Sequence, residues 1–207
     1  MLTIYLVRHG ETQWNTEKRL QGWKDSPLTD KGIKNAQLLG KRLSKIEFNA
    51  FYSSPIKRAL QTAEYIRLGR DIPILTDENL KEINFGEWEG KTRKELKEKY
   101  EKEFSNLWNS PHKFDHKSIK GEGLTDFRER IEKALKRIIT ENPNGNILVL
   151  THAIAIQAIL SNILKYPTEK IWDHPFIHNV GLTVISWDGN RFQIEMLNDT
   201  THLKDNN

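Results

Sequence analysis

There is no cysteine among the 207 residues. Disulfides, thiolate metal sites and a thiol nucleophile are therefore excluded. No apolar run approaches the roughly 20 residues that a membrane-spanning helix needs. Neither sign of charge dominates: 32 Lys and Arg face 28 acidic residues, for a net charge of +4. The basic residues alternate with acids, as in "KELKEKYEKEF" and "FRERIEKALKR", which marks solvated helix faces and argues against a nucleic-acid stripe. The opening "MLTIYLV" is interrupted by Arg8 and His9 and does not read as a signal peptide. The expectation is a cytoplasmic enzyme or binding protein, with enough chain for one domain and a real core.

What is present is an alternation of strand and helix patterns. Residues 2–7 ("LTIYLV") are short, apolar and β-branched, as a buried parallel strand should be. Residues 29–45 read as a helix, with Thr29 or Asp30 as cap and Ile33, Ala36, Leu39 and Leu43 at helical spacing. "AFYSS" at 50–54 is the next strand, followed by a helix from Pro55 that carries Arg58, Ala59 and Thr62. "IPIL" at 72–75 is a third short strand. This order predicts an α/β fold, a three-layer α/β/α sandwich around a mostly parallel sheet.

Residues 87–122 are polar and aromatic, helical in pattern until Pro111, and read as a mainly helical cap inserted into a single domain spanning 1–207. Residues 124–139 return to an amphipathic helix. "NILVLTH" (146–152) is the most hydrophobic strand and also ends in a histidine. The helix "AIAIQAILSNIL" after it is apolar nearly all round, so it should be buried. "GLTVISW" and "FQIEML", joined through Asp188-Gly189-Asn190, read as a hairpin.

In a parallel α/β sheet, ligands gather outside the carboxyl ends of the strands. The first strand ends in Arg8 and His9, the second leads to Arg58 a helical turn on, and the "NILVLTH" strand ends in His152. A lone histidine at a strand end is usually structural, and a lone arginine is usually a surface ion pair. Their convergence on one edge points to an anion site, because a guanidinium offers a fork of donors matched to phosphate or carboxylate oxygens. There is no HExxH and no clustered carboxylate pattern, so no metal site is expected.

The blocks "LVRHGETQWN", "SSPIKRALQTA", "LKEINFGEWEG" and "LTHA" resemble, in order and over essentially the whole chain, those of the histidine phosphatase superfamily, the phosphoglycerate-mutase-like proteins. The resemblance implies that His9 is a nucleophile that becomes phosphohistidine. It implies that Arg8, Arg58 and His152 bind the transferring phosphoryl group, and that Glu82, not Glu11, protonates the leaving oxygen. Asn15 and Gln21 correspond to phosphate ligands, with Gly22 allowing close approach. Ala153 stands where many members have Gly; its N–H is kept and its methyl narrows the pocket.

That allocation suits phosphoryl transfer, which needs in-line positioning and compensation of charge more than covalent ingenuity. The N-terminus of the helix after His152 would add N–H groups to the same anion. Burial under the cap should raise the pKa of Glu82 and the arginines should lower it, and sequence alone leaves the winner open.

Three features favour a phosphatase over a mutase. Gln21 stands where glycolytic mutases carry a small residue, Ile83-Asn84 replaces their Arg-His after the acid, and the chain lacks their extra basic segments. "GWKDSPLT", "GEWEGKT" and "LWNSPHKF" look closest to bacterial broad-specificity phosphatases, with α-ribazole and phosphoserine phosphatases nearby. The implied partner is a small phosphomonoester, with no cofactor, nucleic acid or membrane, and a homodimer left open. Among the aromatics Phe85, Trp88, Trp108 and Phe114, packing is the favoured role for Trp88 and Trp108, and Phe85 is a candidate substrate contact. His112, His116, His174, His178 and His202 read as structural or surface residues.

Overall fold

In the computed structural model, which describes residues 1–206 and the side chains of 1–203, six strands form one sheet in the order β3-β2-β4-β1-β5-β6. The strands are β1 (Leu2–Arg8), β2 (Ala50–Ser53), β3 (Ile74–Thr76), β4 (Gly145–Thr151), β5 (Leu182–Trp187) and β6 (Phe192–Asp199). The first four run parallel, β5 and β6 add an antiparallel edge, and a one-turn helix, α1 (Gln13–Thr16), follows β1. This is the expected α/β architecture with a mostly parallel sheet.

Alternation along the strands separates two cores. Leu2, Ile4, Leu6, Ile147 and Val149 face α6 (Leu124–Glu141) and α7 (Ala153–Ile163). Val7, Phe51, Leu148 and Leu150 face α2 (Asp30–Arg42) and α3 (Lys57–Arg67). Successive strand residues point to opposite faces, so one stretch of apolar β4 feeds both layers.

Boundaries moved for local reasons. Helix α2 is capped by the Thr29 side chain, which accepts from Gly32 N–H, and it ends at Arg42, three residues before the expected end. Helix α3 begins at Lys57, because Ile56 is still extended (φ −66°, ψ 130°) and Pro55 stays outside. Strand β3 covers 74–76 instead of 72–75; it pairs only with β2, at the sheet edge. The pattern up to Pro111 is two helices, α4 (Arg93–Lys99) and α5 (Glu101–Asn109), broken at Tyr100 (φ −131°, ψ 40°). The Tyr100 ring packs 5.7 Å from that of Trp88.

Trp88 is fully buried and also lies within 6.0 Å of the rings of Phe104 and Phe114. Leu96, Leu107 and Ile119 share its core with α6 and α7. No helix among the described residues is long and apolar enough to cross a membrane.

Candidate active site

The ladder between β1, β4 and β2 brings three strand ends level. Arg8 is paired with Thr151 and Ser53 with Leu150. Past the strand ends, His9 N–H donates to Thr151 O at 3.0 Å, and Ser54 N–H donates to Leu150 O at 2.9 Å. Arg8, His9, Ser54 and His152 therefore emerge side by side, and the rings of His9 and His152 stand 5.3 Å apart. The turn after His9 is pinned from α3, where the Thr62 hydroxyl accepts from Gly10 N–H at 2.9 Å. A Cβ on Gly32 would come within 2.2 Å of the Glu11 carbonyl, so this turn can lie against α2 only because residue 32 is glycine.

His9 Nδ1 lies 2.8 Å from the Gly10 carbonyl. A carbonyl only accepts, so Nδ1 carries the proton and Nε2 carries the lone pair. Burial and the charges of Arg58 and Arg8 hold the imidazole well below its usual pKa, against the Gly10 bond. His9 is therefore neutral at physiological pH, the form in which an imidazole nitrogen has a free lone pair.

Arg8 donates from Nη1 to Ile177 O at 2.7 Å. Arg58 donates to the carbonyls of Lys24 and Gly22, both at 2.7 Å, and pairs with Asp25 at 3.2 Å. Burial pulls the pKa of Arg8 down to about 10, with Glu82 opposing and Arg58 and Arg93 adding to the fall. It lowers Arg58 too, opposed by Asp25. The Nε atoms of both guanidiniums are buried without a partner. A buried charged donor without an acceptor is costly, and an anion would relieve both.

His152 is engaged on both sides: Nδ1 accepts from Arg58 Nη2 at 3.1 Å, and Nε2 lies 2.8 Å from the Ser54 hydroxyl. Burial, then the Arg58 charge, keeps it neutral.

Glu82 reaches the same centre from an irregular segment. Its carboxyl oxygens accept from Ile83 N–H and Ile154 N–H, both at 3.1 Å. Burial wins the contest that sequence left open, raising its pKa despite those two bonds and the two arginines. The Ile154 bond also revises an expectation, since at least one N–H at the start of α7 is given to Glu82 and not to a ligand. Ala153 opens that helix beside it.

The remaining expected contacts divide. Asn15 accepts through Oδ1 from Thr12 N–H, the Thr12 hydroxyl and Asn179 Nδ2, so its amide donor is the part left for a ligand. Gln21 donates to the Thr12 hydroxyl at 2.9 Å, and its buried Oε1 has no partner. Gly22 has φ +56°, and a Cβ there would meet Glu89 Oε1 at 2.1 Å. Its missing side chain makes room for Glu89, which sequence did not single out. Glu89 accepts from the N–H groups of Trp23, Lys24 and Phe85 at 2.8, 3.0 and 3.1 Å. Phe85, 3% exposed, packs in the core with Trp88 and is not among the residues lining the cavity beside Arg8.

A cavity of about 320 Å³ leads to this edge, lined by Arg8, Asn15, Lys18, Arg93, Phe176 and Asn179 among others. A larger one, about 780 Å³, is lined by Trp23, Asp25, Lys57 and Lys81 but by none of the converging residues. The smaller is the entrance, because Arg8 and Asn15 line it and the larger reaches neither. Lys18, Arg93, Phe176 and Asn179 were not legible as site residues. The five remaining histidines lie outside this set, and Glu11 accepts from the Thr29 hydroxyl at 3.0 Å as a loop holder. Among the described residues, no three His, Asp or Glu side chains gather as metal ligands would.

A neutral imidazole nitrogen, two buried guanidiniums with unmatched donors and a carboxyl raised by burial form a site suited in charge and donors to a phosphoryl-type oxyanion. The chain belongs to the histidine phosphatase superfamily (branch 1), whose family model matches residues 4–200. It is 32% identical to phosphoserine phosphatase 1 of Hydrogenobacter thermophilus over 98% of this chain and 95% of that protein. It is 33% identical to a probable phosphoglycerate mutase GpmB of Escherichia fergusonii, with the same coverage of 98% and 95%. The solved structure of Bacillus stearothermophilus YhfR superimposes with a TM-score of 0.94 at 39% identity, covering 99% of this chain and all of that one.

Proposed function

We propose that the chain hydrolyses small phosphomonoesters without a metal, through a phosphohistidine on His9. The observation that carries this reading is the His9 ring, held by Gly10 at 2.8 Å so that Nε2 is free to attack. Nε2 displaces the ester oxygen from phosphorus: an N–P bond forms, the P–O bond breaks, and Glu82 gives its proton to the departing alkoxide. Water then attacks the phosphohistidine, Glu82 takes the proton back, and inorganic phosphate leaves with His9 restored. Arg8, Arg58 and the Asn15 amide offset charge on the equatorial oxygens.

Substrate acceptance is broad in this reading, with esters carrying a second anion favoured. Lys18 and Arg93 support that preference, since they line the same opening as Arg8. Residues 87–122 act as the cap of a single cytoplasmic domain.

Inorganic phosphate release from a panel of monoesters in excess chelator tests the reaction, and complete dependence on added metal overturns it. Arg93→Ala should raise KM for phosphoserine about tenfold, the worth of one charged hydrogen bond, and leave an aryl monoester unchanged.

A mutase is the second reading, favoured by the 33% identity to the GpmB protein. The Ile83-Asn84 pair after Glu82 stands against it. Phosphoryl exchange between phosphoglycerates outrunning phosphate release would reverse the order.

A further inference from the structure

Glu82 is the one member of the converging set that neither a strand end nor a helix delivers. It lies between short 3-10 turns at Glu78–Leu80 and Gly86–Trp88. Isolated loops of this kind open easily, yet a proton donor must stay within hydrogen-bond reach of one oxygen.

We infer that Arg130, together with Glu122, is a positioning residue that holds the Glu82 carboxyl in register with His9 by tying down the backbone on both sides of it. This rests on the reading of Glu82 as proton donor.

Arg130 projects from α6 and is only 15% exposed. A guanidinium has five N–H donors, and here each has an acceptor. Nη1 donates to Asn79 O at 2.9 Å and to Lys81 O at 2.8 Å. Nη2 donates to Glu82 O at 2.8 Å. Nε and Nη2 grip the Glu122 carboxylate in a bidentate pair at 2.6 and 2.8 Å.

Glu122 carries the hold past Glu82. Its carboxylate accepts from Asn84 N–H at 3.2 Å, and its own N–H donates to Asn84 O at 2.8 Å. One ion pair therefore anchors residues 79, 81 and 82 upstream and 84 downstream. Two other bonds tie the segment to the site itself. The Thr151 hydroxyl, next to His152, donates to Leu80 O at 2.6 Å, and Trp23 Nε1 donates to Glu82 O at 2.9 Å. An arginine that only stabilised the fold would have no reason to place every donor within three residues of Glu82 or on the acid that grips Asn84. Lysine cannot replace it, because a point charge with three donors does not span three carbonyls and a carboxylate.

The leaving group separates positioning from simple stability. An alkyl alkoxide needs a proton to depart, whereas a nitrophenolate does not. The test compares kcat/KM, which reports the steps through transfer to His9, for an alkyl monoester and for 4-nitrophenyl phosphate. The full-length chain and its Arg130→Lys, Glu122→Gln and Glu82→Gln variants are assayed, with unfolding midpoints alongside. Arg130→Lys should lose about 10- to 100-fold on the alkyl ester, the cost of roughly 1 Å of misplacement. On the aryl ester it should lose less than about threefold, because proton donation is not needed there. Glu122→Gln, which keeps the volume and one acceptor oxygen but puts an NH2 donor in place of the other, should show a smaller loss with the same selectivity.

Equal losses on both esters in Arg130→Lys and Glu122→Gln, or no loss in either, overturn the inference. If Glu82→Gln discriminates between the esters and these two variants do not, the inference alone falls. If Glu82→Gln slows both esters alike, the proton-donor reading falls and the inference with it.

Discussion

Arg8, His9 and His152 stand at the ends of neighbouring parallel strands, whereas Glu82 and Glu89 stand on a segment that no strand pairs with. In the first region the backbone ladder sets the geometry. Arg8 is level with Thr151 because every pair before it, from Leu2 with Gly145 onward, is in register. In the second region side chains set it: Arg130 and Trp23 hold the Glu82 carbonyl, while Glu89 gathers three N–H groups. The strand-built half should fail when its own residues change, or when Gly32, which seats the turn after His9, is replaced. The loop-built half depends on residues that never approach a substrate.

The largest effect should come from the strand-built half. His9→Ala should lower turnover by at least about 10³-fold, the scale for removing a nucleophile, with the unfolding midpoint little changed. Acid quenching after exposure to substrate should trap a phosphoenzyme in the wild type and none in the variant. A variant that keeps turnover would break the comparison at its root.

Next comes Trp88, which roots the loop-built half in the core. Trp88→Ala should cost about 3–5 kcal/mol in denaturant unfolding, as large aromatic truncations do. A cost under about 1 kcal/mol would mean that this segment is not part of the cooperative unit.

Gly22→Ala probes the contact between the halves. The left-handed backbone alone should cost about 1–2 kcal/mol, and the new methyl must displace Glu89. Unfolding by urea checks the first effect. A drop in activity larger than the stability loss explains would locate the second in the Glu89-held loop.

pH separates the halves most finely. His9 and His152 have pKa values well below 6.5 in the folded chain, so the unfolded chain binds more protons as pH falls. Their contribution to stability is present above pH 6.5 and is lost as pH falls toward their folded values. Glu82 has the opposite sign in activity: it must be protonated, so alkyl ester hydrolysis should fall as pH rises through its raised pKa. Hydrolysis of 4-nitrophenyl phosphate should lack that limb. A shared alkaline limb would remove Glu82 from the donor role.

The same division governs what could be read in advance. Strand periodicity and the rule of strand carboxyl ends sufficed for Arg8, His9, Arg58 and His152, since local pattern and ladder geometry are short-range. Glu82 was reached through resemblance, because nothing in "LKEINFG" announces a strand or a helix. Arg130 was hidden in "FRERIEKALKR", where alternating charge reads as a solvated face, yet it is one of the more buried charges of that helix. Phe85 shows a related limit: nothing in "INFGEWEG" separates an aromatic that lines a pocket from one that packs, and the fold sets its ring in the core with Trp88. The exposed aromatics that do stand at cavity mouths, Trp23 and Phe176, lie in loops without periodicity.

By itself the sequence determined an α/β chain with a histidine and two arginines delivered to one sheet edge, because the periods of strands and helices are local properties. Only the tertiary structure decided which tautomer His9 adopts, that burial outweighs two arginines at Glu82, and that Arg130 closes around residues 79 to 82. Each of those depends on the burial and partners of a polar group. They are fixed by what the fold brings near it from distant positions in the chain.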